Sequence, residues 1–436
     1  MEKNYKEIMT MSREDMEKLQ SERLVAEVKY AYENQKAYRA LMDAAGVKPE
    51  DIKSIKDITK LPFTTKHDLR ENYPFGFFAC PMKDIVRIHA SSGTTGKLTT
   101  VGYTQRDLDD WSEAFARSLE IAGVTKDDII HISYGYGLFT GGLGAHYGGE
   151  MMGCAVVPCG TGNTQRQLQL MKDFGATVLC CTPSYALFLG EAIEKDPNLT
   201  IDDFKLRIGV FGAEPWSLGM KEKIEEKLHL KAYDIYGLSE ISGPGVSMNC
   251  GYEELHVQED LFYPEVVDVE TLEPVPDGVR GELVFTTLRK QGVPLIRYRT
   301  RDLCSIQHGV CPHCGRTLVR MSRVTGRTDD MLIIRGVNVF PSQIESALTK
   351  IEELNGSHYL LVVERQGLLD TLEIKVEMNP KFFSDQVKDI EKLRKKVDHE
   401  VTSAIGIAAK ITLCAPGEVP LSEGKTKRTI DNRVIE

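Results

Sequence analysis

The run Asp128-Ile129-Ile130-His131-Ile132-Ser133 opens the stretch that decides the fold. Its apolar residues are β-branched and nearly continuous, the pattern of a buried strand. Beyond it, short apolar runs and amphipathic segments take turns. Gly141 to Met152 reads as a Gly-rich helix, Ala155-Val156-Val157-Pro158 as a strand, Thr164 to Phe174 as a helix and Thr177-Val178-Leu179-Cys180-Cys181 as a buried strand. Residues 184–194 follow as a helix, Leu206 to Phe211 as a strand, Ser217 to Leu228 as a helix and Leu230 to Tyr236 as a strand. Such alternation builds crossover units and a mainly parallel sheet, with ligands at the carboxyl ends of the strands. The fold class is therefore α/β.

Toward the N-terminus, residues 13–45 carry helical patterning through Met16, Leu19, Leu24, Val25, Val28, Ala31 and Tyr32. Thr65, after Leu61-Pro62-Phe63-Thr64, reads as a helix cap. Ile85 to Ala90 alternates as a strand and leads into Ser91-Ser92-Gly93-Thr94-Thr95-Gly96-Lys97. Glycine lets backbone N–H groups approach a ligand, and the hydroxyls and Lys97 add donors for an anion. That loop reads either as a phosphate wrap or as a flexible turn. It is no Walker A loop: Ser91 stands where the first glycine belongs, and Leu98 where Ser or Thr would hold magnesium. Thr104 to Leu108 opens an amphipathic helix running to about Gly123.

From about residue 262 the pattern changes to short strands with turns: Glu265 to Val269, Glu282 to Thr287, Leu295 to Tyr298. This is expected as an antiparallel β subdomain. Met331 to Ile334 and Val337 to Val339 then read as a hairpin, Pro341 to Ile351 as a helix and Tyr359 to Glu364 as a strand. Leu372 to Val376 reads as a strand, 383–405 as a charged helix and Lys410 to Leu413 as a last strand. A small α+β domain is expected there, divided from the rest near Asp329-Asp330, so that residues 1–328 and 329–436 form two domains.

The chain has 436 residues, enough for two or three domains. A formal net charge of -10 argues against nucleic acid or an anionic membrane as the main partner. No apolar run approaches the roughly 18 residues of a membrane span, and Met1 to Lys6 lacks the apolar core of a signal peptide. The 10 cysteines form no disulfide framework, which points to a reducing, cytoplasmic setting where closely spaced cysteines bind metal.

Several strand ends carry chemistry. Asp234-Ile235-Tyr236-Gly237-Leu238-Ser239-Glu240 ends a buried strand with an aromatic, a glycine and a carboxylate. Glu240 reads either as a magnesium ligand beside phosphates or as a capping residue. The carbonyls of Gly212-Ala213-Glu214-Pro215 could meet an adenine edge. Asp302, in Tyr298-Arg299-Thr300-Arg301-Asp302, suits ribose hydroxyls or an ion pair with a neighbouring Arg. Gly326-Arg327-Thr328-Asp329-Asp330, Arg335-Gly336-Val337-Asn338 and Gly424-Lys425-Thr426-Lys427-Arg428 follow. In this order, and with Tyr134 to Gly142, Phe262-Tyr263-Pro264-Glu265, Ile296 to Asp302 and Asp330 to Pro341, the set resembles the adenylate-forming (acyl-CoA synthetase) superfamily. Within it the chain is similar to the phenylacetate–CoA ligases over nearly its full length. Two departures stand out: Pro420 lies one residue closer to Lys425 than is usual, and Glu423 replaces a Ser.

The resemblance implies a large multi-subdomain N-terminal domain and a small mobile C-terminal one. It implies two half-reactions: a carboxylate attacks the α-phosphate of ATP to give an acyl-adenylate and pyrophosphate, and the thiol of coenzyme A then displaces AMP. Catalysis is then mostly positioning and charge stabilisation. By motif match, Ser91, Ser92, Gly93, Thr94, Thr95, Gly96 and Lys97 hold the outer phosphates and Glu240 holds Mg2+. Asp302 takes the ribose, and Gly212, Ala213 and Glu214 with Tyr236 take the adenine. Asp234, Ile235, Gly237 and Arg327 complete the nucleotide site. Lys425 bridges the carboxylate and the α-phosphate, Asp329 is the hinge, and Arg335-Gly336 swings in beside CoA. Tyr136, Phe139, Ala213 and Ile235 lie where an aryl acid would be walled, although any core needs aromatics too. Phenylacetate is the expected acid, with indoleacetate or a benzoate-like acid as alternatives. Transfer to a carrier-protein thiol is another alternative, and a regulator that binds nucleotide without catalysis a third, against which the intact Lys425, Glu240 and Asp302 argue. The family also implies a homodimer.

One further constellation is metallic. Cys311-Pro312-His313-Cys314 is half of a zinc site. From Cys250, His256, Cys304, His308 and His313, the favoured set is Cys250, His256, Cys311 and Cys314, a closed structural Zn2+ site. Cys304 reads as a core thiol. Unliganded reduced thiols are the other reading.

Overall fold

A computed structural model of the chain describes residues 5–91, 98–138, 140–214, 216–328, 332–334, 337–354, 357–366, 369–380, 387–419 and 428–432. The chain divides into two compact units, Met1–Val324 and Thr325–Glu436.

The first unit starts with helices α1 (Tyr5–Ile8), α2 (Arg13–Asn34), α3 (Lys36–Ala44) and α4 (Lys66–Glu71). The helical patterning of residues 13–45 is broken at Gln35, which is extended. Its buried amide donates to the carbonyls of Phe77 (2.5 Å) and Pro294 (3.1 Å), so tertiary contacts override helix continuity there. Thr65 caps α4 by accepting from the Asp68 N–H. Strand β1 (Arg87–Ser91) pairs antiparallel with β2 (Thr99–Tyr103), a strand the sequence pattern did not announce. Helix α5 (Gln105–Ile121) follows, capped by Thr104.

The alternating stretch then folds as read: β3 (Ile129–Ile132), α6 (Gly141–Met152), β4 (Ala155–Val157), α7 (Thr164–Asp173), β5 (Val178–Cys181), α8 (Pro183–Lys195), β6 (Ile208–Gly212), α9 (Leu218–Leu228) and β7 (Lys231–Leu238). Strands β4, β3, β5, β6 and β7 lie parallel in that order. The glycines of α6 exist for packing: a Cβ on Gly148 would lie 2.7 Å from the Phe115 side chain. Past β7 the chain reverses into β8 (Gly243–Asn249) and β9 (Leu255–Val257).

The expected β subdomain is a three-stranded antiparallel sheet of β10 (Phe262–Val267), β11 (Gly281–Thr287) and β12 (Tyr298–Cys304). One boundary needs correction. The sequence pattern predicts a strand over Leu295 to Tyr298 with Asp302 at a strand end, but β12 begins at Tyr298 and Asp302 lies inside it. Arg297 causes the shift: its φ of 46° interrupts the extended run, and its buried guanidinium reaches Glu265 at 3.0 Å. Short strands β13 (Ile306–Gln307) and β14 (Arg320–Met321) return to β9 and complete a nine-stranded sheet. Cys250 directly follows β8, and His256 lies in β9 of this sheet.

The second unit holds the hairpin β15 (Leu332–Ile334) and β16 (Val337–Val339), α10 (Pro341–Thr349), β17 (Tyr359–Gln366), β18 (Leu369–Glu377), α11 (Val387–Ile405), β19 (Lys410–Cys414) and β20 (Thr429–Asp431). Its sheet runs β19-β18-β17-β20, with Ile344, Leu361, Val363, Ile374, Val397 and Val401 in the core. Strand β20 was not anticipated. Among the described residues no helix is long and apolar enough to cross a membrane.

Candidate active site

The carboxyl end of β7 turns through Ser239 to Ser242 and returns as β8. Glycine is needed at position 237, where a Cβ would lie 2.0 Å from the Gly243 carbonyl. The turn presents Glu240, whose Oε1 accepts from the Ser91 hydroxyl at 2.7 Å and lies 3.3 Å from the Lys66 ammonium. Burial pushes this carboxyl up, but Lys66, Ser91 and a backbone N–H together bring it below the usual range. Glu240 is thus a buried carboxylate held ionised beside a cation. Ser91 sits at the end of β1, where the loop expected to wrap phosphate begins.

The turn's backbone is held from the opposite side. Tyr103 Oη donates to the carbonyls of Ser239 (3.0 Å) and Ser242 (3.2 Å). Lys290 Nζ donates to the carbonyls of Glu240 (3.0 Å) and Ile241. Thr140 and Ser239 share a hydroxyl–hydroxyl contact of 3.1 Å. The loop before α6 is tied to β1, because the Leu138 carbonyl accepts from Ala90 N (3.1 Å) and from His89 Nδ1 (3.0 Å). Burial lowers the His89 pKa, which keeps the ring neutral and assigns its proton to Nδ1.

Around this turn lie the other residues singled out in the sequence. Tyr236 donates its hydroxyl to Asp302 Oδ2 at 2.6 Å and stacks on Phe285, with ring centroids 6.3 Å apart. The neighbouring arginines, Arg299 (2.8 Å) and Arg301 (3.5 Å), both reach Glu282. Asp234 meets Arg323 at 3.1 Å beneath Trp216. Ala213 takes a φ of 72°, next to Gly212, where a Cβ would meet the Ile235 carbonyl at 2.2 Å. Glu214 accepts from the Ser184 N–H at 2.7 Å and so ties that loop to α8. Ile235 is buried in one apolar cluster with Tyr134, against which Tyr136 packs. The Tyr136 hydroxyl reaches His146 Nδ1 at 3.2 Å, and Glu150 holds the other ring nitrogen at 3.0 Å. Arg327 lies in the second unit. Ser92 to Lys97, Phe139, Asp329, Arg335, Gly336 and Lys425 lie outside the described residues.

Sequence reasoning missed Lys66, Tyr103, His89 and Lys290. One signal existed for Lys66: a lysine at the first position of a capped helix opposes the helix dipole and needs an anion elsewhere. Lys290, in Leu288-Arg289-Lys290-Gln291, reads like any surface charge.

The four metal-ligand candidates do converge. One ligand atom from each of Cys250, His256, Cys311 and Cys314 lies within 4.8 Å of all the others. The Cys250 and Cys311 sulfurs are 4.0 Å apart, and Cys314 Sγ is 3.3 Å from His256 Nε2. Tetrahedral zinc with Zn–S bonds of ~2.3 Å separates two sulfurs by ~3.8 Å. Burial, with Arg316 and Arg320 nearby, lowers His256 to about 4, so the imidazole is neutral and free to coordinate. Burial raises the Cys311 thiol, but hydrogen bonds led by the His313 and Cys314 N–H groups outweigh it and favour the thiolate. The donor set and spacing fit zinc; burial and the neighbouring Cys314 and Cys311 sulfurs push the Cys250 thiol up to about 12, so its thiolate form depends on a cation. Cys304 is a buried thiol of the core, as read.

Comparison with known proteins gives this geometry its context. A family described as "AMP-binding enzyme" matches residues 12–288, and "AMP-binding enzyme C-terminal domain" matches residues 336–433. A phenylacetate-coenzyme A ligase of Escherichia coli (strain K12) is 49% identical over 430 residues, 98% of this chain and 97% of that protein. One from Aromatoleum evansii is 48% identical over 432 residues, 98% and 96% of the two chains. Among solved structures, a 2-hydroxyisobutyryl-CoA ligase in complex with R3-HIB-AMP superposes with a TM-score of 0.90 at 29% identity, covering 98% of this chain and 92% of that one.

Proposed function

The chain belongs to the AMP-binding enzyme family, within its adenylate-forming phenylacetate–CoA ligase branch, and from that premise we propose that its acid is phenylacetate or a close aryl relative. It is an AMP-forming acid–thiol ligase: ATP activates the acid as an acyl-adenylate, and coenzyme A takes the acyl group. The observation that carries the choice of acid is the near-complete length over which relatives named for phenylacetate match the chain. Ile235 and Tyr136, which belong to or pack against one apolar cluster, are the proposed aryl wall, and Ala213 and Phe139 are assigned to it by motif match.

In this reading Glu240, Ser91 and Lys66 meet the outer phosphates. Glu240 accommodates a cation at Oε1, where Lys66 already stands at 3.3 Å, so this carboxylate would hold Mg2+, which would supply neutralisation of charge on the departing pyrophosphate. Tyr236 and Asp302 hold the nucleoside, and Gly212 to Glu214 the base. Ser92 to Lys97 complete the phosphate loop. Residues 1–328 carry these sites. Residues 329–436 carry Lys425, which serves adenylation, and Arg335-Gly336, which serves thioester formation, about a hinge at Asp329. Zn2+ on Cys250, His256, Cys311 and Cys314 is structural: the protein fills every coordination position and leaves none for substrate. The setting is a reducing cytoplasm and the working form a homodimer.

Pyrophosphate release over a panel of acids tests the reading. The panel holds phenylacetate, indoleacetate, benzoate and 2-hydroxyisobutyrate, each with CoA and with a carrier-protein thiol. Phenylacetate with CoA is expected to give the highest kcat/KM. A short hydroxy acid in first place would reject the proposed acid and leave the ligase chemistry standing.

A further inference from the structure

A buried lysine that the chemistry above leaves unused lies under the Glu240 turn. Lys290 is 7% exposed, and burying a cation is costly unless polar partners surround it. Its contacts are backbone carbonyls, those of Glu240 at 3.0 Å and of Ile241, and its ammonium stands 4.8 Å over the face of Tyr103. The Tyr103 hydroxyl in turn takes the carbonyls of Ser239 and Ser242, at 3.0 and 3.2 Å. The consecutive carbonyls from residue 239 to residue 242 are therefore all claimed by two stacked side chains. Lys290 is itself anchored, since its backbone N–H donates to the buried Glu27 carboxyl at 3.0 Å. Left to water, a turn of this kind would sample many conformations, and ordering it on ligand binding would cost backbone entropy.

We infer that Lys290, seated on Tyr103, is a positioning residue for adenylation: it locks the Glu240 turn so that the carboxylate meets the cation arriving with ATP already in place. The inference rests on the reading of Glu240 as a ligand of that cation. Lys290 touches neither substrate nor metal. It acts through the backbone on either side of the Glu240–Ile241 peptide, as outer-shell groups do when they orient a ligating carboxylate.

The test uses the full chain with Lys290→Met, which keeps the length of the side chain and removes its donors. Binding of Mn2+ with ATP is followed by electron paramagnetic resonance, beside the two half-reactions measured separately. Mn2+·ATP affinity and the kcat/KM of adenylation are expected to fall by about 10–100-fold, chiefly through KM for the nucleotide. Thioester formation from supplied acyl-adenylate should stay within about twofold. Affinity as in the unaltered protein, or equal loss of both half-reactions, overturns the inference. If K290M does not fold, Tyr103→Phe decides: it removes only the hydroxyl, and unchanged Mn2+·ATP binding in it overturns the idea. Glu240→Gln is the reference. If it binds Mn2+·ATP normally, the reading of Glu240 fails and this inference with it. If it loses binding while K290M and Y103F keep it, only the role of Lys290 and Tyr103 fails.

Discussion

The Glu240 turn and the Cys250–Cys314 cluster hang on the same nine-stranded sheet, yet their buried polar atoms are satisfied in opposite ways. At the turn, the protein supplies every counterpart itself: Ser91 and Lys66 for the carboxylate, Tyr103 and Lys290 for the carbonyls. At the cluster, sulfur and nitrogen face one another across 3.3 and 4.0 Å, and His256 Nδ1 is buried with no hydrogen-bond partner among the described residues. The first arrangement is stable without an ion, so an ion can come and go with the nucleotide. In the second, like donors point at a common centre and need a resident cation. A change at the turn should therefore cost rate, and a change at the cluster should cost stability.

Glu240→Gln breaks the comparison most directly. It keeps the side chain's shape and removes its charge, so pyrophosphate release should fall by on the order of 10²–10³. The melting temperature should fall slightly, because the Lys66 and Ser91 interactions that outweigh the carboxylate's burial penalty are weakened together with that penalty. A marked loss of thermal stability would mean that the charged group is structural after all.

Cys311→Ser is the converse. Metal analysis should find about one zinc per unaltered chain and little in the variant, with a melting temperature lower by several degrees and kcat nearly unchanged where the variant is folded. A strong chelator should reproduce the shift in the unaltered protein. Zinc-free protein of undiminished stability would place the cluster with ordinary reduced thiols and dissolve the contrast with the turn.

What could be read in advance follows from how local each cause is. The alternation from β3 to β7 is carried by neighbours along the chain, and the Thr65 and Thr104 caps by residues three apart, so these elements stood out. The cluster was legible because thiols and imidazole declare their chemistry wherever they lie. Strand β2 was hidden by Gly102 in its middle, a glycine kept because a Cβ there would lie 2.5 Å from Phe78. The start of β12 was hidden by Arg297, whose left-handed φ depends on a buried pairing with Glu265. Lys66 and Lys290 were hidden for a stronger reason. Their partners are a carboxylate and two carbonyls far along the chain, and nothing in a lysine's neighbours says whether it faces water or the backbone of a turn.

The smallest effect, and the sharpest on how the turn is supported, is expected at Glu27. Its Oε1 accepts from the Lys290 N–H and the Thr287 hydroxyl, each at 3.0 Å, beneath the element that holds the turn. Burial raises its pKa to about 8, outweighing both hydrogen bonds. In the unfolded chain the same group titrates near its ordinary value of 4.5. Between those values the folded state binds more protons than the unfolded one, so stability falls as pH rises from about 4.5 to about 8. Glu27→Gln carries no titrating group and keeps the accepting oxygen. Its melting temperature should therefore gain on that of the unaltered chain as pH rises through this window, giving the flatter curve. Parallel curves from about pH 5 to about pH 8 would mean that Glu27 ionises at its ordinary value. A charged carboxylate would then accept from the Lys290 N–H and the Thr287 hydroxyl, and the element that holds the turn would rest on charge-assisted hydrogen bonds instead of neutral ones.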